Sequence, residues 1–149
     1  MRSSRIAAAT VLLGLVSLSA GCGTSAEAEK SIADVRASVD RIRGEMELES
    51  KAVAARDART EVQSVQLVAQ LEAENLKKYA SRAPAETQDF ADAAQTWAAA
   101  VATSRAAIIG RAPEATSTAA MLNVRLSAKK MDEEAEELGI EPWLKLVEY

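Results

Sequence analysis

A chain of 149 residues has room for one domain, and with 48% hydrophobic but only 3% aromatic residues its core must come from Ala, Val, Leu, Ile and Met. A net charge of −4 with no basic cluster argues against nucleic acid as a partner. The single cysteine excludes an internal disulfide, and the absence of histidine removes the commonest general base and the commonest metal ligand.

In chain order, Met1 to Arg5 is a short basic start, and Ile6 to Leu18 is an apolar stretch of thirteen residues. A bilayer-spanning helix needs about 20. Small residues follow in Ser19, Ala20 and Gly21, then Cys22. A basic region, a short apolar region and a small-residue cleavage site read as a secretory signal. Leu18-Ser19-Ala20-Gly21-Cys22 resembles the lipobox of bacterial lipoproteins, with one departure: Ser19 stands where that family carries an aliphatic residue, and Leu18 lies one place further back. The resemblance implies that residues 1–21 are a cleaved signal peptide and that Cys22 is the lipidation site, bearing acyl chains such as palmitate. It also implies an extracytoplasmic protein on the cell membrane or outer membrane, since Gly23 is not the aspartate that retains such proteins. Loss of Arg2 and Arg5 would take the net charge from −4 to −6. Ordinary cleavage near Ala20, giving a secreted protein, and an uncleaved chain with Cys22 in a core are the competing readings.

Residues 22–30 are expected to form the lipidated cysteine and a tether, with Gly23-Thr24-Ser25-Ala26 as polar spacer, and residues 31–149 a helical domain. Ile32, Val35, Val39, Ile42 and Met46 recur at spacings of three and four, and Val53 continues the stripe. That spacing predicts an amphipathic helix with a narrow seam. Glu49, Arg56 and Thr60 then occupy positions the heptad wants apolar, and Val62, Val65, Leu67, Val68, Leu71 and Leu76 resume out of phase. With no Pro or Gly between Glu45 and Ala80, the pattern favours one long helix over a hairpin near Arg56–Thr60.

Ser81-Arg82-Ala83-Pro84 is the first clear break. The helix after it carries Phe90, Ala94, Trp97, Val101 and Ile108 on one face, and Gly110-Arg111-Ala112-Pro113 ends it. A last helix from about Pro113 has Met121, Val124, Ala128, Met131, Ala135 and Leu138 at coiled-coil-type positions, broadened by Leu122 and Leu126, with Gly139 as its capping glycine. Ile140 to Tyr149, containing Trp143, is unusually apolar and is expected to fold back over one end. Amphipathic helices with short joins predict an all-α bundle of three or four antiparallel helices, including one long N-terminal helix.

Two sets of residues are candidates for contact with other molecules. The acidic run Asp132, Glu133, Glu134, Glu136 and Glu137 opposes the dipole at a helix C-terminus, and reads either as a partner patch or as a solvated face partly relieved by Lys129 and Lys130. Trp97 and Trp143 are candidate apolar ligand contacts, or else a core residue and an anchor. Ser127-Ala128-Lys129-Lys130 fits a Ser-x-x-Lys pattern, but the accompanying Ser-Asp-Asn and Lys-Thr-Gly elements are missing. Carboxylate-bridged metal sites in bundles add a Glu-x-x-His pair this chain cannot supply, so neither a metal site nor a cofactor is expected. The expected function is a non-catalytic, membrane-anchored binding or scaffold module, with another envelope protein as partner through the long helix's seam and the acidic end. The alternative is a carrier of a small apolar or lipid ligand within the bundle.

Overall fold

The structure, a computed structural model, describes residues 25–55 and 58–141. Ser25 starts the first helix, α1 (Ala26–Ala54): its Oγ accepts a hydrogen bond from the Ala28 amide at 3.1 Å, and Glu27 and Glu29 place negative charge in the first turn. The helix therefore begins inside the stretch expected to be tether, because a capping serine stands there. The second helix, α2 (Arg59–Ala80), runs back along α1, with Arg41 facing Glu72 and Glu45 facing Ser64.

The continuous helix expected from Glu45 to Ala80 is thus broken into a hairpin. The cause is the phase shift itself. On one straight rod the two stripes would face different directions, and no single core could bury both. Reversal between Ala55 and Arg59 puts Val35, Val39 and Ile42 into one core with Val65, Ala69 and Leu76.

Pro84 precedes a 3₁₀ turn (Ala85–Thr87) that leads into α3 (Gln88–Ile109), and Pro113 stands at the N-cap of α4 (Glu114–Glu137). Successive helices are antiparallel. Thr87 bonds Ser31, and Arg105 bonds Glu49 further along the same two helices, so α3 runs parallel to α1. Helix α3 packs against both α2 and α4, whereas no Cα of α1 comes within 8 Å of one in α4. The domain is an all-α bundle in which α3 joins the α1–α2 hairpin to α4. Among the described residues no helix is long and apolar enough to cross a membrane.

Phe90, Trp97, Leu76, Ile42 and Met131 are the large side chains of the core, set among alanines of α2, α3 and α4 that let the backbones approach closely. Some stripe positions turn outward. Met121, Leu122 and Leu126 of α4, Leu67 and Leu71 of α2, Val53 and Ile108 are exposed. On α3 the positions after Val101 that face inward are Ser104 and Arg105. On α4 the buried line runs through Ala120, Ala128, Met131 and Ala135, because among the described residues the helix meets α3 alone and needs only a narrow contact stripe.

Both α3 and α4 end in the same hydrogen-bonded turn. After α4, Gly139 adopts φ 69°, and the Ile140 amide returns to the Ala135 carbonyl at 2.9 Å. After α3, the Ala112 amide returns to Ala107 at 2.9 Å, but the left-handed residue is Arg111 at φ 51°, with Gly110 in the ordinary helical region. The glycine stands one position too early. A Cβ in this conformation is strained, so Arg111→Gly is expected to stabilise the domain by up to about 1 kcal/mol. Thermal unfolding followed by circular dichroism measures this, and a lower midpoint would contradict the turn assigned here.

Candidate functional site

The chemically distinctive side chains of the bundle are its interior charges. Glu49 lies on the buried side of α1, at the place where the seam lost its apolar residue, and Arg105 is the only charged residue between Asp92 and Arg111. The two helices bring them together: Arg105 Nε donates to Glu49 Oε2 at 2.9 Å, and each side chain keeps only 10% of its surface exposed. Arg105 Nη1 also donates to Ser104 Oγ at 3.3 Å. A buried charge is tolerated only when paired and hydrogen-bonded. The pair fixes how α1 and α3 lie along each other.

A second ion pair ties α1 to α2. Arg41 grips Glu72 with both arms, Nε to Oε1 at 2.6 Å and Nη2 to Oε2 at 2.8 Å, and Nη2 also reaches Ser38 Oγ at 3.1 Å. Asn75 Nδ2 donates to Glu72 Oε2 at 3.3 Å. The Arg41 hydrogen bonds hold the Glu72 carboxyl below the usual glutamate range, against the burial that raises it. A shorter link follows, in which Ser64 Oγ donates to Glu45 Oε2 at 2.6 Å. These side chains are occupied with one another, and they read as struts between helices rather than as reacting groups. The signal for Glu49 and Arg105 was present in the sequence, as two opposite charges each interrupting an apolar stripe.

The candidate site residues fall in separate places. Trp97 is 2% exposed and is the largest core residue. Trp143 lies outside the described residues, as do Cys22 and residues 1–21. On α4, Glu133 and Glu134 pair with Lys129 at 3.2 Å and Lys130 at 2.7 Å, while Glu136 and Glu137 are exposed at the helix end. Among the described residues no three His, Cys, Asp or Glu side chains gather as metal ligands. Ser127 Oγ donates to the Asn123 carbonyl at 2.7 Å, so the Ser-x-x-Lys pattern is an ordinary polar helix face.

Surface grooves run between the helices of the described residues, two of them notable. One, of about 350 Å³, lies between α2 and α3, with an alanine floor at Ala73, Ala99, Ala102 and Ala106 and Gln66 and Lys77 on its walls. The other, of about 130 Å³, lies between α3 and α4 and is lined by Asp89, Asp92, Ser127 and Lys130. Neither reaches Trp97. The seam of α1, expected as a partner surface, is buried against the neighbouring helices at Val35, Val39 and Ile42. Among the apolar side chains left facing water, two sets lie one turn apart, Leu67 with Leu71 on α2 and Leu122 with Leu126 on α4. No protein-family model, no curated protein and no solved structure matches this chain.

Proposed function

We propose that this chain is a lipid-anchored, non-catalytic binding or scaffold module of the bacterial envelope, tethered through an acylated Cys22. The observation that carries the reading is the run Leu18-Ser19-Ala20-Gly21-Cys22 directly after a basic start and a thirteen-residue apolar stretch. A spanning helix would need about 20 residues, whereas a signal's apolar region needs far fewer. Two acyl chains hold a protein on a bilayer stably, where one gives only reversible binding.

The interior charges of the bundle support a non-catalytic role, since each serves to join helices. A partner protein would meet surfaces other than the buried seam, and the outward pairs Leu67/Leu71 and Leu122/Leu126 are the places to introduce crosslinkers. The protein would sit on the extracytoplasmic face of the cell membrane or the outer membrane.

Intact mass of protein taken from bacterial membranes tests the tether. The expected product starts at Cys22 and carries added acyl mass, and Cys22→Ala is expected to abolish both the modification and the membrane retention. An unmodified wild-type chain would remove the tether and the envelope reading with it.

A further inference from the structure

Helix α4 is covered on one side only. Among the described residues it packs against α3 alone, through Ala120, Ala128, Met131 and Ala135. At about 100° per residue, the side directly opposite carries Ala115, Ala119, Leu122, Leu126, Lys129 and Glu133. All six are exposed, with Leu122 at 53% and Leu126 at 58%. Their spacing alternates between four and three, as in the seam of a coiled coil. The helix thus has two seams and one neighbour. The outward pair on α2 differs, since that helix already lies between α1 and α3, and Ser64, next in line, is bonded to Glu45.

Charge decides what fits this face. Glu114 is the acidic residue of the first turn of α4, and Arg111 stands just before the helix. Glu133, Glu134, Glu136 and Glu137 crowd the last turns, and the last turn holds no basic residue. That end opposes the helix dipole. Lys129 and Lys130 relieve it at Glu133 and Glu134, at 3.2 and 2.7 Å, whereas Glu136 and Glu137 lie exposed beyond them. A helix N-terminus and a cation alongside would complement the acidic end, and the same helix reversed supplies both. Laid antiparallel about Val124, a second copy sets Leu122 against its own Leu126 and the Lys129 stem over its Ala119. The same register brings Arg111 level with Glu137 of the second copy. A parallel pair would stack Glu133, Glu136 and Glu137 on their duplicates.

We propose that this chain pairs with a second copy of itself through the outward face of α4, antiparallel, with the twofold axis beside Val124. The contact is isologous, so it closes on itself and every leucine counts twice. The pairing does not rest on the lipid anchor. Helix α1 starts at the end where α4 stops, so the two chains start at opposite ends of the pair. Two lipid anchors would therefore reach one bilayer only with the paired helices lying along it.

Sedimentation equilibrium of the mature chain in detergent tests the pairing. One helix face is a small interface, so a monomer–dimer equilibrium is expected in the micromolar range. Leu122→Glu is expected to raise the dissociation constant about a hundredfold, because two leucine contacts are lost per pair. Its circular dichroism and melting midpoint are expected to match wild type, since the site is at the surface. Disulfides read the register independently: Ala119→Cys mixed with Lys129→Cys is expected to give a crosslinked pair, and neither variant alone is. Wild type, with Cys22 as its only cysteine, is the control. A monomer at every concentration, a dimer indifferent to Leu122→Glu, or a disulfide of Ala119→Cys with itself would each overturn the pairing. So would a crosslink from Leu126→Cys to a different polypeptide in bacterial membranes, which would give the face to another partner.

Discussion

Replacing Arg105 by alanine is expected to lower the unfolding free energy by about 3–5 kcal/mol, because the Glu49 carboxylate would be left charged and unpaired in the interior. Glu49→Ala is expected to cost a similar amount by stranding the guanidinium. Replacing both at once, Glu49→Leu with Arg105→Met, is expected to be neutral or stabilising by about 1–4 kcal/mol, since a buried pair barely repays the loss of hydration of its two ions. Urea unfolding of the three variants followed by far-ultraviolet circular dichroism gives the comparison. A single replacement that cost less than about 1 kcal/mol would mean that water reaches the pair.

Trp97→Ala is expected to remove about 3–5 kcal/mol as well, for a different reason: lost burial and the void it leaves among residues that cannot all collapse inward. Trp97 sits with Phe90, Leu76, Val101 and Met131 in the core cluster. Domains of this size are stable by only about 5–15 kcal/mol, so the variant would lie near its folding limit. Added benzene is expected to recover part of the loss, since an apolar void stays dry and accepts small apolar molecules. A protein built to carry a ligand beside Trp97 would behave in the opposite way. Its cavity would exist beforehand, the substitution would cost little, and wild type would already respond to such a ligand.

The helices were readable wherever a residue type dictates backbone conformation. Pro84, Pro113 and Gly139 mark breaks that any placement of the chain must respect, and the elements begin or end beside each. The reversal between Ala55 and Arg59 was not readable in the same way, because it contains neither glycine nor proline. There the evidence lay in a change of phase, which a sequence presents equally as a bend or as a rotated stripe. Ion pairs across helices were harder still. Glu49 looked like a fault in the seam, and only the parallel placement of α1 and α3 supplies the arginine that makes it a member of the core. On α4, Leu122 and Leu126 were read as core because they are apolar and suitably spaced. Among the described residues helix α4 packs against α3 alone, and a helix with one neighbour has no second face to bury. Of the acidic run on α4, Glu133, Glu136 and Glu137 are exposed, whereas Asp132 and Glu134 are half-buried. The run Leu18-Ser19-Ala20-Gly21-Cys22 lies outside the described residues.

The separation of α1 from α4 bears on how the molecule assembles. Each helix packs mainly on the one that follows it in sequence, and the longer-range links are those of α1 to α3 and to the Ala85–Thr87 turn. Chains organised in this way fold quickly, because little loop entropy is lost before contacts form. That topology favours an order in which α1 and α2 meet first, α3 settles on them, and α4 closes last.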